Sequence, residues 1–308
     1  KTTVTSEDLK HKISKIRRIF DLNYVENLQP DNNYVQKYYN VNKLAYSLFH
    51  TSSDRMYMGV SRVGIYKPED LLEAARFVEK YIRELSAKLV LELATGRGAT
   101  CAYLAKKFPE ITFEGIDLSP AQLNFALKKA KKFPNYHPII GDYHNLSRFK
   151  ANNFDIVFEI EAVCYSRNKR KVFNGAKRVL KKGGVFILFD GYLRRDRSTF
   201  DERELLAVKV TEKSMAVPEF EAYSQVLEEA KKSGFKIIYS EDVSRFIMPT
   251  LKKFENLAKR FFSHPMLANI VTKLLPEKFT FNAISGYLMP NLISLDISCY
   301  YITVLERR

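Results

Sequence analysis

The stretch from Lys88 to Lys107 constrains the fold more than any other part of this 308-residue chain. Leu89-Val90-Leu91-Glu92-Leu93 is a short apolar run of the kind that forms a parallel strand covered on both faces. It leads into Ala94-Thr95-Gly96-Arg97-Gly98, where two glycines permit backbone angles and close approaches that a Cβ blocks. Ala99 to Lys107 follows as a helix, with Leu104 spaced from Cys101 and Phe108 to face a sheet. The free N–H groups of its first turn point back at the loop, an arrangement that holds the polar end of a ligand.

A second unit repeats this logic. Thr112 to Asp117 reads as a strand ending in a carboxylate, placed where nucleotide-binding sheets carry the acid that accepts ribose hydroxyls. Ser119 then caps a helix that has Pro120 at its first position. His137 to Ile140, Asn153 to Glu161 and Val185 to Asp190 read as further strands, with helices of ten or more residues between them, which implies parallel crossovers. Pro68 to Glu84, Val172 to Leu180 and Tyr223 to Lys232 carry helical apolar spacing. The rhythm breaks over residues 191–224, where Leu205 to Met215 forms an extra helix in an excursion too long for a turn. Phe235 to Tyr239 and Ser298 to Leu305 are the last two strands, and no crossover helix is needed if the final one enters antiparallel.

Leu91-Glu92-Leu93-Ala94-Thr95-Gly96-Arg97-Gly98 resembles the acid-x-Gly-x-Gly-x-Gly first motif of the class I S-adenosylmethionine-dependent methyltransferases, with Ala94 where the first glycine is usual. The resemblance continues in the family's order through Gly115-Ile116-Asp117-Leu118-Ser119, Gly141-Asp142-Tyr143, Phe154-Asp155-Ile156-Val157 and Arg178 to Gly184. It implies an α/β fold, a Rossmann-like seven-stranded mostly parallel sheet with one antiparallel edge strand, plus a helical lid. It also implies S-adenosyl-L-methionine as cofactor. The loop backbone at Ala94, Gly96 and Gly98 is assigned to the methionine moiety, Glu92 to its support, Asp117 to the ribose and Asp142 to the adenine amine. Ile116, Leu118 and Tyr143 would flank the ring, and Glu159 joins this cofactor set.

Phe158-Glu159-Ile160-Glu161-Ala162-Val163-Cys164-Tyr165 resembles the stretch after the fourth strand of sterol C-24 methyltransferases, with Tyr165 in place of a histidine and Val163 in place of a threonine. Lipid, quinone and isoprenoid methyltransferases share looser versions, so the expected acceptor is small and apolar and the transfer is to carbon. Methylation of an alkene makes a carbocation that aromatic faces stabilise and a carboxylate deprotonates. Glu161 is the first candidate for that base and Glu159 the second, with Tyr39, Tyr57 and Tyr165 as the aromatic wall. The plainer reading leaves one of the two glutamates on the cofactor or on a loop amide. His50 and His144 would serve as bases if transfer were to nitrogen or oxygen of a polar metabolite, the second enzyme reading. A nicotinamide-dependent oxidoreductase and a non-catalytic cofactor-binding scaffold are the remaining alternatives.

Residues 1–66 are read as an N-terminal lid segment and 67–308 as the core, with lid insertions at about 194–224 and 244–290. Leu9 to Phe20 is amphipathic, and the region 34–66 is dense in aromatics, with Tyr34, Tyr38, Tyr39, Tyr46, Phe49, Tyr57 and Tyr66. All three lid segments are expected to meet over one cavity, beside Phe261 or Met289. Cys101, Cys164 and Cys299 lack metal spacing, which points to reduced thiols, no metal and a cytoplasmic setting. A net charge of +15 favours anionic partners without choosing among them. No nucleic-acid signature is present and none is expected as a partner. Lys252, Lys253, Lys259 and Arg260 beside Phe254, Leu257, Phe261 and Phe262 suggest peripheral membrane contact, against the alternative of a helix packed on its own domain. Oligomerisation is left open.

Overall fold

The computed structural model describes residues 5–45 and 54–308; Tyr46, Phe49 and His50 lie outside them. Seven strands form one sheet: β1 (Leu89–Leu93), β2 (Thr112–Asp117), β3 (Tyr136–Ile140), β4 (Phe154–Ile160), β5 (Leu180–Leu193), β6 (Phe235–Asp242) and β7 (Ser298–Arg307). Their spatial order is β3-β2-β1-β4-β5-β7-β6. The pairs from β3 to β5 are parallel, whereas β7 runs antiparallel to both β5 and β6. The single reversed strand therefore belongs to the edge of the sheet as expected, but it sits one place in, and β6 forms the rim. Its register against β5 is unbroken from Val185–Glu306 to Leu193–Ser298. That long ladder is why β5 extends beyond Asp190 to Leu193, while its start at Leu180 pairs with Phe154 of β4.

In chain order the helices are α1 (Ser6–Arg17), α2 (Leu22–Glu26), α3 (Asn32–Ala45), α4 (Glu73–Glu84), α5 (Ala99–Lys107), α6 (Pro120–Ala130) and α7 (Lys169–Val179). They continue with α8 (Glu202–Ser214), α9 (Tyr223–Lys232), α10 (Ser244–Ser263), α11 (Pro265–Leu274), α12 (Glu277–Thr280) and α13 (Asn282–Ser294). The segment from Pro68 begins as a 3-10 turn, Pro68–Leu72, and becomes α-helical only at Glu73. The alternation of side chains along a strand sorts the sheet into two buried faces. Val90, Phe113, Ile156, Phe158 and Ile187 pack on one side with Ala75 and Val78 of α4 and Leu104 of α5. Leu91, Leu93, Ile116, Val157 and Phe186 pack on the other with Phe173 of α7 and Ala230 of α9.

A third apolar cluster has no strand at its centre. Leu9, Ile13 and Ile16 of α1 and Phe20 pack with Ala207 of α8, Phe262 of α10 and Ile284 and Leu288 of α13. The amphipathic N-terminal helix thus covers helices drawn from the two later insertions, and all of them form a helical layer beyond the C-terminal ends of the parallel strands. A buried ion pair fixes the layer: Lys12 Nζ donates to Glu255 Oε1 at 2.5 Å, to the Tyr287 carbonyl at 2.6 Å and to Asn291 Oδ1 at 2.5 Å. With its donors so engaged the ammonium is kept in an apolar setting without being orphaned.

Candidate active site

The loop between β1 and α5 takes left-handed backbone angles at Ala94 (φ +51°), Gly96 (φ +55°) and Gly98 (φ +70°). Ala94 therefore occupies a conformation that suits glycine, at a cost of about 1–2 kcal/mol for a residue with a Cβ. Side chains beneath the loop hold it in place. Thr95 Oγ1 donates to Glu92 Oε2 at 2.6 Å and lies 2.8 Å from Tyr136 Oη. Thr95 seats against Gly115, where an added Cβ would come within 2.8 Å of Thr95 Oγ1. The Glu92 carboxyl is fully enclosed, and burial pushes it to about 7 against the hydrogen bond from Thr95. Across the loop, the Gly96 N–H donates to Asp117 Oδ2 and the Ser119 N–H to Asp117 Oδ1, both at 2.8 Å. Burial raises the Asp117 pKa while these two donors oppose it.

Arg97 ties the loop to the lid. Its Nη1 donates to Asp54 Oδ1 at 3.0 Å, its Nε to Gln122 Oε1 at 3.2 Å, and its guanidinium lies over the Phe125 ring at 4.5 Å. Lys129 reaches the other Asp54 oxygen at 2.6 Å.

Two cavities open above the sheet. The first, about 140 Å³, is lined by Ala94, Gly96, Asp117, Leu118, Asp142 and Tyr143 on the core side and by Gln36, Tyr39, Met56 and Tyr57 on the lid side. The second, about 90 Å³, is mostly apolar: Met58, Met215, Val217, Phe220, Ile247, Leu251, Met289 and Leu292 line it. Glu161 and Tyr165 line both. The lid segments after β5 and after β6 thus meet over the second cavity, and α3 with residues 54–57 covers the first.

Glu161 stands at the junction. It follows β4 with φ +53°, a left-handed conformation that a glutamate adopts only when its surroundings hold it there. Its Oε1 accepts the Met58 N–H at 2.6 Å and the Tyr300 hydroxyl at 3.0 Å. Burial first, then the negative charge of Asp190, push the carboxyl to about 7 against those two donors. Glu161 can therefore exchange a proton near neutrality.

Glu159 behaves differently although it is only two residues away. Its Oε2 accepts the Ala162 N–H at 2.7 Å and the Val163 N–H at 3.2 Å, and the residue has no exposed surface. Burial and the Asp190 charge drive its pKa well up, and its bonds to the two amides shape the turn presenting Glu161. Asp190, three residues before the C-terminal end of β5, accepts from the Cys164 N–H at 2.7 Å and the Gly191 N–H at 2.8 Å.

The structure brings together in the first cavity Glu92, Ala94, Gly96, Asp117, Leu118, Asp142, Tyr143, Tyr39, Tyr57, Glu161 and Tyr165. Three residues named with them from the sequence do not line it. Gly98 lies behind the loop, where a Cβ would stand 2.8 Å from Ala126 Cβ, so its role is close packing on α6. Ile116 points into the apolar layer with Leu91 and Leu93. Glu159 faces the loop amides just described. Within the aromatic wall, the Tyr57 hydroxyl donates to the Leu71 carbonyl at 3.1 Å and lies 3.0 Å from Thr100 Oγ1, and burial pushes it to about 12. Tyr39 and Tyr165 are a tilted ring pair with centroids 6.0 Å apart, and the Tyr165 hydroxyl donates to the Met215 carbonyl at 3.2 Å. Of the lid pair, Met289 lines the second cavity and Phe261 stacks on Phe20 instead. His144 bridges Asp142 Oδ1 at 2.7 Å and Ser166 Oγ at 2.8 Å, a positioning contact.

Sequence reasoning missed Tyr300, Asp190 and the Asp54–Arg97 bridge. Asp190 had a visible signal, an acid ending a predicted strand at the ligand-binding edge. Tyr300 had none beyond its place in the last strand.

A glycine loop after the first strand, an acid ending the second and a cleft at their C-terminal ends define a Rossmann-like α/β protein that binds a nucleoside cofactor. A family profile described as "Methyltransferase domain" matches residues 84–247, more than half of the chain, and the chain belongs to that family. A sterol methyltransferase-like 3 protein of Botryococcus braunii is 29% identical over 204 residues, covering 62% of this chain and 51% of that protein. The chain spans about half the length of the curated relatives it matches. Among solved structures, the cyclopropane synthase of Mycobacterium tuberculosis superposes with a TM-score of 0.69 at 15% identity, covering 91% of this chain and 100% of that one. A geranyl diphosphate C-methyltransferase of Streptomyces coelicolor gives 0.61 at 12% identity over 89% and 98% of the two chains. At these identities the likeness is one of fold.

The cofactor that goes with the family is S-adenosyl-L-methionine. The residues fit it: at Gly96 an added Cβ would meet only the Ala94 carbonyl and the Met56 methyl, both at 3.9 Å, so the missing side chain leaves space inside the cavity. Asp117 and Asp142 supply acceptors along the same wall.

Proposed function

We propose that the chain transfers a methyl group from S-adenosylmethionine to carbon of a small lipophilic, isoprenoid- or sterol-like acceptor. One observation carries this reading: Glu161, whose carboxyl burial pushes to about 7, is shared by the cleft that holds Asp117 and Asp142 and a second, more apolar chamber. The loop backbone at Ala94 and Gly96 would hold the methionine end, Asp117 the ribose and Asp142 the adenine, with Leu118 and Tyr143 against the ring. Bound there, the cofactor supplies an electrophilic methyl on a sulfonium. The chain's own work is then positioning, which is the largest contribution when the leaving group is already activated. Tyr39 and Tyr165 line the cleft beside the junction, where their rings would stabilise a developing carbocation. Glu161, ionised, takes the proton that the methylated carbon loses, and the Tyr300 hydroxyl and Met58 N–H steady its charge. Residues 1–66 and the insertions near 194–224 and 244–290 act as a lid that excludes water from this junction. Peripheral contact with a lipid surface, from which such an acceptor would be drawn, belongs to the same reading.

The test is transfer of tritiated methyl from S-adenosylmethionine to a panel of isoprenoid alkenes, sterols and small polar amines. Label is expected in the apolar acceptors. Label confined to the amines would overturn carbon transfer in favour of a polar acceptor.

A further inference from the structure

The notable surface of the lid is α11. Met266, Leu267, Ile270 and Leu274 are 86%, 58%, 54% and 76% exposed, while Ala268 is buried and seats the opposite face. Met266, Ile270 and Leu274 follow one another at four-residue steps and so form one stripe along the helix. Single exposed apolar side chains are ordinary, but a contiguous stripe on a helix that already has a packed inner face marks a contact surface.

The surroundings select the partner. From Asn256 to Pro276 the chain has no acidic residue, and Lys259, Arg260 and Lys273 are exposed. The α1–α2 corner adds Arg17 and Arg18, also exposed; Phe20 of that corner packs against Phe261, near the end of α10 that leads into α11, and against Phe281. A phosphate backbone would match those cations but leave the four apolar side chains in water. A second copy of the chain would match the apolar stripe but bring another +15 of charge against it. An anionic bilayer surface satisfies both. A ten-residue helix is about 15 Å long against a hydrocarbon core of about 30 Å, so α11 must lie in the interface plane.

We propose that α11 is an interfacial anchor that docks this protein on an anionic lipid membrane through Met266, Leu267, Ile270 and Leu274, with Arg17, Arg18, Arg260 and Lys273 on the headgroups. This rests on the reading of peripheral lipid contact given above and specifies the surface that makes it. Docking is linked to the site through α12 and the start of α13, which hold α3: Asn42 Nδ2 donates to the Lys278 carbonyl at 3.1 Å and the Tyr38 hydroxyl to Asn282 Oδ1 at 2.6 Å. The membrane-facing surface is thus joined to the helix that carries Tyr39.

Co-sedimentation of the full chain with phosphatidylcholine vesicles, with and without phosphatidylserine, tests it without requiring turnover. The wild type is expected to pellet with the anionic vesicles and to be released by high salt. The double substitution M266D/L274D should lower that partition by at least about tenfold while circular dichroism and binding of S-adenosylmethionine stay unchanged. A wild type that stays in the supernatant with both vesicle types overturns the proposal, as does a double variant that pellets like the wild type. A wild type that forms dimers broken by M266D/L274D, with no vesicle binding, would make the stripe a self-association surface and equally overturn it. Failure here with methyl transfer intact would leave the catalytic reading standing.

Discussion

Glu161→Gln separates what the junction does for chemistry from what it costs the fold. The folded carboxyl titrates at about 7, above the ordinary 4.5. A carboxyl whose folded pKa is raised destabilises the native state as pH rises through the window between the two values, because the unfolded chain gives up its proton more readily. At about 1.4 kcal/mol per pH unit the full penalty reaches about 3 kcal/mol above pH 7 and vanishes below about pH 4.5. Glutamine keeps an oxygen for the Met58 N–H and the Tyr300 hydroxyl but cannot ionise. Urea unfolding of the variant should therefore match the wild type near pH 4.5 and exceed it by up to about 3 kcal/mol at pH 8, while methyl transfer to an alkene acceptor is lost. A variant no more stable than the wild type at pH 8 would show that the carboxyl is not held near neutrality. Full activity in a folded E161Q protein would remove Glu161 as the base.

Asp117→Ala should weaken S-adenosylmethionine binding by about 1.5–3 kcal/mol in calorimetry, the scale of a hydrogen bond to a charged group; unchanged affinity would take Asp117 out of the site. Ala94→Gly should relieve the left-handed backbone and raise unfolding stability by up to about 1 kcal/mol, the strain relieved less the entropy that glycine adds to the unfolded chain; a clear loss of stability would contradict the loop geometry. Met289→Trp, on the half-buried rim of the apolar chamber, should cut turnover by more than about tenfold, or 1.4 kcal/mol in the barrier, with cofactor affinity unchanged; equal turnover would show that the acceptor lies elsewhere.

What the sequence disclosed was whatever is local. The strand, loop and helix from Leu89 to Lys107 were legible because apolar run, glycines and helix formers adjoin one another, and Ser119-Pro120 marked the start of α6 in the same way. The place of β7 between β5 and β6 was not, since adjacency in a sheet depends on partners far apart in the chain. The two glutamates show the same limit at the site. Residue type alone made Glu159 and Glu161 alternatives, and the structure separates them: Glu159 is inside β4 and fully enclosed, whereas Glu161 has left the strand in a left-handed turn. Helix phase sorted the tyrosines likewise, turning Tyr38 to Asn282 and Tyr39 to Tyr165, through a contact some 240 residues away that no local pattern encodes.

In the proposed reaction a methyl group passes to carbon where the cofactor cleft and the apolar chamber meet at Glu161. Single-turnover reaction with S-adenosylmethionine carrying a ¹³C methyl, followed by carbon NMR of the extracted product, tests it most directly. The label is expected to be bonded to carbon of an isoprenoid or sterol alkene, with one proton lost from the methylated skeleton. A labelled methyl on nitrogen or oxygen, or label retained on the sulfonium in the presence of every apolar acceptor tried, would contradict it.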